Sequence, residues 1–253
     1  MDVIFFWRDS MLKEFKEYVN EYDMNNHNIK YRYNHSLRVQ KICVALAKML
    51  NLNKEDAEII KIAGLLHDIG RFEQLKLTNS FSDNEFDHAA YGAMILFKEG
   101  LIENFNVNPK YYDILEFAIL NHNRFKIMEI NDERKIMIAK ILRDADKIDI
   151  FDAYTYQKIY KITNIDDEVS QDVAIEFKKH ESINRKIRKT KADLLISIIA
   201  FVFDINYKES FEIINEQKYL DELYNQIENK EKFKEYFDYA KDYIKERIDE
   251  YAR

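Results

Sequence analysis

The chain has 253 residues and a formal charge of −7, from 39 Lys and Arg against 46 Asp and Glu, which excludes a global basic field for drawing in long nucleic acid. Hydrophobic residues make up 47%, enough to bury a large core, and the single cysteine excludes an internal disulfide framework and fits a reducing cytoplasm. With 4 Gly and 1 Pro the turn residues of a sheet-rich protein are missing, so the sequence predicts an all-α fold of long helices with short polar connections.

In chain order, residues 1–8 (MDVIFFWR) lack the basic start, long apolar core and small-residue cleavage site of a signal peptide. Residues 9–23 read as an amphipathic helix, followed by a polar connection around Asn25–Lys30. Asn34 is the expected N-cap of a helix through about Leu50, with Leu37, Ala45, Leu46 and Met49 on its apolar face. A helix over 54–69 follows, closed by Gly70 as its C-cap, and 71–84 reads as irregular and polar. Glu85 to Lys98 reads as helix, stopping at Gly100. Asn108–Pro109, a cap with a first-turn proline, opens a helix to about Asn121, and Asn131 or Asp132 caps one running to about Tyr156.

Further amphipathic stretches cover 166–189, 191–204, 208–228 and 230–251. The most apolar run, Ala192–Phe203, is too short to span a bilayer, so no membrane association is expected. Five of the six histidines precede residue 123, which concentrates candidate chemistry in 31–156. The expected organisation is a core domain over 1–156 and a helical extension over 157–253 packed on it, as a cap, a packing element or an oligomer surface such as a homodimer's.

His67–Asp68 ends the apolar run Ile62-Ala63-Gly64-Leu65-Leu66. Successive helical residues point about 100° apart, so an adjacent pair shares one ion only where the ion sits at the helix shoulder or end. A cation would partner both groups; a core His bonded to a neighbouring acid is the equally open alternative for this dipeptide alone. His35 lies in Asn34-His35-Ser36-Leu37-Arg38-Val39, His88 in Asp87-His88-Ala89-Ala90, and His122 in Leu120-Asn121-His122-Asn123. Asp144, Asp146 and Asp149 share one helix in Arg143-Asp144-Ala145-Asp146-Lys147-Ile148-Asp149. Helical phase puts Asp144 and Asp146 on opposite flanks of the Ile141–Ala145–Ile148 stripe and does not choose between them as ligands.

The order His35, His67-Asp68, Asp146, with the strings HSLRV, GLLHDIGR and RDADKID, resembles the HD superfamily of metal-dependent phosphohydrolases across residues 31–156. The resemblance implies a divalent metal held by His35, His67, Asp68 and Asp146. Its last block, Ala-Asp then basic and apolar residues, matches Ala145-Asp146-Lys147-Ile148 and selects Asp146, leaving Asp144 as a solvated or salt-bridged surface residue and Asp149 as an acceptor that could orient a ligand. Two-metal members are similar to the set His35, His67, Asp68, His88, His122 and Asp146, with the Asp68 carboxylate bridging both ions. His88 and His122 could instead line the pocket and bond substrate phosphate, so one or two ions stay open. Mixed N/O ligands suit Mn, Fe, Co, Ni or Zn and argue against Ca.

The implied reaction is hydrolysis of a phosphoester or phosphoanhydride, on a nucleotide or another small phosphorylated metabolite, by metal-activated water. Asp68 would hold the metal and the attacking water. Arg38, Arg71 and Lys147 are the candidate phosphate-binding cations, with Arg38 and Lys147 also in catalytic roles, while Arg124 reads as surface charge. The basic run Asn184–Lys191 reads as a solvated helix face and the 17 Tyr and 17 Phe as core, with Phe72 open as a base-stacking residue. Two alternatives stand beside hydrolysis. A few HD relatives use the same six ligands with two irons to activate dioxygen, and others are non-catalytic regulatory domains. The residues after His122 lack the Gly-Tyr-Pro of cyclic-di-GMP hydrolases, and Ile-Gly-Arg after Asp68 lacks the acidic pair of alarmone hydrolases.

Overall fold

A computed structural model describes residues 3–83, 86–156 and 165–250, with side chains from Ser10 onward. Among them every regular element is a helix, as the scarcity of Gly and Pro predicts, and no helix is long and apolar enough to cross a membrane. The chain divides into two compact units, 1–142 and 143–253.

The first unit opens with α1 (Val3–Val19) and α2 (His27–Met49). The helix expected from Asn34 begins a full two turns earlier, because the side chain of Asn26 accepts from Asn28 N at 2.8 Å and starts it there. His35 therefore sits inside a helix rather than at its opening. Asn53 caps α3 (Lys54–Leu66), accepting from Glu55 N at 3.0 Å and Asp56 N at 2.9 Å. α3 and α2 pack closely because Gly64 has no side chain: a Cβ there would lie 2.7 Å from Cys43 Sγ and 3.0 Å from Gln40 Cα.

Residues 71–78, within the stretch 71–84 expected to be irregular, belong to α4 (Gly70–Thr78). Its inner face buries Arg71, Phe72, Gln74 and Leu75, a helical spacing disguised by two polar residues that have partners inside. Gly70 is thus the first residue of α4 and not the C-cap of α3. Phe72 is fully buried against Phe15, Tyr18 and Tyr22, with centroids 5.7–6.0 Å apart, so it is core and not a stacking platform. The same tyrosines tie α1 down: Tyr18 Oη donates to Ile69 O at 3.3 Å and Tyr22 Oη to Glu73 Oε2 at 3.3 Å.

Asp87 caps α5 (His88–Ala93), which continues as a π-turn over Met94–Lys98; the helix start expected at Glu85 lies outside the described residues. Asn108 accepts from Lys110 N at 3.1 Å and Pro109 starts a short 3-10 turn leading into α6 (Tyr112–Asn121). Of the two expected caps of α7 (Glu133–Thr155), Asp132 serves, accepting from Lys135 N at 3.0 Å. This helix runs across the division between units after Leu142.

In the second unit, long expected helices break into shorter ones. Within 166–189 the α-helix is α8 (Gln171–Phe177), with His180 three residues beyond it at a left-handed φ of 58° and a 3-10 turn at Arg185–Ile187. A capping box between Thr190 and Asp193 starts α9 (Lys191–Ile199). The stretch 208–228 splits into α10 (Lys208–Glu216) and α11 (Tyr219–Asn225) at Lys218, φ 53°, and α12 (Lys234–Glu250) follows a 3-10 turn. Amphipathic periodicity continues across such single left-handed residues, which is why it overstates the helix lengths. Leu195, Ile196, Phe211, Phe233 and Phe237 form this unit's core.

Candidate metal centre

α3 delivers His67 and Asp68 at its C-terminal shoulder, α2 delivers His35 from the facing helix, His88 opens α5, and His122 ends α6. All five are buried, and the four imidazoles converge on the Asp68 carboxylate. Its Oδ2 lies 3.4 Å from His35 Nε2 and 3.5 Å from His67 Nε2. Its Oδ1 lies 3.1 Å from His88 Nε2 and 3.3 Å from His122 Nε2. Each oxygen thus faces its own pair of imidazoles, and the paired nitrogens are 3.2 Å (His35, His67) and 3.0 Å (His88, His122) apart.

Proton positions follow from what lies behind each ring. His67 Nδ1 is 2.9 Å from Gly64 O and His122 Nδ1 is 2.7 Å from Ile119 O. A carbonyl only accepts, so both rings carry their proton on Nδ1 and, when neutral, offer a bare lone pair at Nε2. His88 Nδ1 meets Asp83 Oδ1 at 2.7 Å to the same effect. Burial, with the neighbouring rings of His88 and His67, pushes His122 down to about 4 against the pull of Asp68, which keeps it neutral at physiological pH. With His88 neutral as well, three acceptors crowd together around Oδ1 with no proton of their own to share. That arrangement is costly without a cation, and ligands of an ion at about 2.1 Å sit about 3 Å apart when mutually perpendicular. The donor set fits a divalent metal, and His67, Asp68 and His122 can converge on one ion.

Sequence reasoning missed Arg32. Its guanidinium pairs with Asp68 Oδ2 and lies over the rings of Phe81 at 4.9 Å and Tyr31 at 5.4 Å. The signal was present: Arg32 is one turn before His35 on the same helix face. Burial opposes ionisation of Asp68, but the Arg32 guanidinium beside it holds its carboxyl well below the usual carboxylate range.

The other expected cations are placed differently. Arg71 is buried and its guanidinium donates to Gln74 Oε1, Phe81 O and Asp83, at 2.6, 3.0 and 2.7 Å, with Nε 3.7 Å from Asp68 Oδ1. It acts as a brace in this arrangement, tying α4 to the segment over Phe81–Asp83. Arg38 is half-buried with its guanidinium 5.8 Å from the Tyr31 ring centre. Arg124 is exposed and donates to Leu120 O at 3.1 Å. Lys147 belongs to the second unit, buried, with Nζ 2.7 Å from Asp204 Oδ2 beside Arg143, which pairs with the same oxygen. Burial lowers its pKa, with Asp204 opposing.

Asp146 is half-buried on α7, and Asp149 is buried on the same helix. Asp144 is not a surface residue: it is fully buried and accepts from Asn206 N, Asn206 Nδ2 and Tyr207 N at 2.8–3.1 Å. Burial pushes its carboxyl up to about 6, although these donors favour the ionised form. The folded protein then holds this proton through a range where the unfolded chain, with a carboxyl near ~3.9, releases it. Stability from this group is therefore greatest in acid and declines as pH rises toward about 6. Subtracting the unfolding free energy of Asp144→Asn from that of the wild type, by urea titration, is expected to give a difference that falls by up to about 3 kcal/mol between about pH 4 and about pH 6. A difference that rises with pH would refute the assignment.

A family model described as HD domain matches residues 32–153. Ribonuclease Y of Mycoplasmoides gallisepticum (strain R(low / passage 15 / clone 2)) is 30% identical over 144 residues, covering 53% of this chain and 21% of that protein. The chain thus spans about a fifth of that relative's length. No solved structure matches.

Proposed function

The chain belongs to the HD superfamily, whose domain occupies residues 32–153, and from that premise we propose that it is a metal-dependent phosphohydrolase acting on a phosphoester or phosphoanhydride of a nucleotide or other small phosphorylated metabolite. One observation carries the reading: each oxygen of Asp68 faces its own pair of histidine Nε2 atoms. That supports two ion positions sharing the Asp68 carboxylate, one served by His35 and His67, the other by His88 and His122. By the family's order of blocks Asp146 is the remaining ligand.

Bound divalent ions would supply Lewis acidity toward a phosphoryl oxygen and lower the pKa of an attacking water. The chain's own part is preorganisation. The carbonyls of Gly64 and Ile119 fix the tautomers of His67 and His122, so their lone pairs need no reorientation when a ligand arrives. Asp68, held ionised, is the group able to accept a proton bond from water. Arg32, beside Asp68 and backed by two rings, is placed to share its charge with a substrate phosphate, and Arg38 on the same helix is a second candidate.

The test is phosphate release from a panel of nucleoside mono-, di- and triphosphates and phosphodiesters with Mn-, Fe-, Co-, Ni- or Zn-loaded protein. A short RNA belongs in that panel because the partial relative is named a ribonuclease. Metal-dependent turnover of at least one substrate is expected. Oxygen consumption by the iron-loaded protein without hydrolysis would favour the oxygenase alternative instead, and neither activity would favour a regulatory domain.

A further inference from the structure

His88 differs from its neighbours in what stands behind its ring. His67 and His122 end their helices, so a carbonyl three residues back, Gly64 O or Ile119 O, receives each Nδ1 proton. His88 is the first residue of α5, and no carbonyl of its own helix lies behind it. Its Nδ1 is met instead by the carboxylate Oδ1 of Asp83, at 2.7 Å.

Asp83 lies in an irregular segment after α4, and buried side chains of α4 hold that segment down. Arg71 reaches Asp83 Oδ1 at 2.7 Å, Asp83 Oδ2 at 3.3 Å and Phe81 O at 3.0 Å. Gln74, fully buried, donates to Ser82 O at 2.7 Å and Phe86 O at 3.1 Å, and its Oε1 accepts from Arg71 at 2.6 Å. Buried polar groups are expensive unless partnered, and here their bonds converge on the segment that carries Asp83. The same Arg71 lies 3.7 Å from Asp68 Oδ1, the oxygen His88 faces.

We propose that Asp83 is a positioning residue for one ion position: by accepting from His88 Nδ1 it fixes the imidazole with Nε2 toward Asp68 Oδ1, and so serves the position of His88 and His122 but not that of His35 and His67. This rests on the metal-centre reading above. An anionic acceptor also makes the ring a stronger ligand than a carbonyl does, and losing such a partner costs roughly 10–100-fold in metal affinity.

The experiment is Mn(II) titration by equilibrium dialysis of wild type, Asp83→Ala and the isosteric Asp83→Asn, with circular dichroism to establish folding. Wild type is expected to hold two ions per chain. Asp83→Ala keeps the first and weakens the second by about 10–100-fold, and Asp83→Asn, which retains an acceptor oxygen but no charge, falls between. In metal-free protein, long-range histidine ¹H–¹⁵N spectra report the His88 tautomer, fixed on Nδ1–H in wild type and mixed in Asp83→Ala. Wild type with two ions beside variants whose second ion and tautomer are unchanged would overturn the proposal alone, as would equal loss of both ions. Wild type holding fewer than two ions would overturn the two-position reading itself, and this proposal with it.

Discussion

Asp68→Ala is expected to abolish bound divalent metal and to lower phosphate release by at least about a thousandfold, equivalent to about 4 kcal/mol of lost transition-state stabilisation. The size follows from the sharing. Removing one histidine thins one cluster, whereas removing Asp68 takes an oxygen from both at once, because Oδ1 and Oδ2 serve different imidazole pairs. The variant also removes the carboxylate partner of the half-buried Arg32 guanidinium, so a loss of stability accompanies the loss of metal. Asp68→Asn separates the two effects: it keeps an oxygen toward Arg32 but not the charge that binds the ions. Elemental analysis beside a phosphate-release assay checks both variants, and an Asp68→Ala protein with full activity would sink the proposed mechanism.

Gly70→Ala is expected to lower stability by about 3 kcal/mol and to displace His88. A Cβ on Gly70 would lie 2.2 Å from His88 O, 2.7 Å from Gly92 N and 3.1 Å from Gly92 Cα. These are backbone atoms of α5 and cannot rotate aside, so α4 and α5 must separate. The first residue to move carries a proposed ligand. Gly92→Ala is the internal control: its Cβ meets Gly70 N at 3.2 Å and Ile69 Cγ2 at 3.3 Å, a tighter fit than usual but one that small adjustments can relieve. Thermal unfolding should show Gly70→Ala well below Gly92→Ala, with the metal of the His88 side lost first. Equal melting temperatures and unchanged metal content would contradict the close-approach argument.

The sequence disclosed those parts of the site whose chemistry is local. His67–Asp68 at a helix shoulder, the Asn108 cap and the all-helical class follow from adjacency, cap residues and the scarcity of Gly and Pro. What stayed hidden depends on tertiary partners. α4 read as irregular because Arg71 and Gln74 look like surface residues until the segment over Phe81–Asp83 provides their acceptors. Asp83 itself sits in no periodic pattern. Gly70 suggested a helix stop, but its requirement is space for another backbone. Asp144 reads as a surface acid only because the family's last block selects Asp146 and phase does not choose between the two, whereas the Asn206–Tyr207 amides give it a buried role.

The close packing of α3 on α2 at Gly64 has a practical consequence for following the protein in solution. Cys43, the chain's single thiol, is fully buried where Gly64 allows the helices to touch. Those two helices carry His35 on one side and His67–Asp68 on the other. An alkylating reagent can reach the sulfur only when the pair parts, so the labelling rate under native conditions measures how often the two halves of the cluster come apart. Ions bridging His35 and His67 would slow that rate in proportion to their occupancy, giving a titration curve for the centre that needs no substrate.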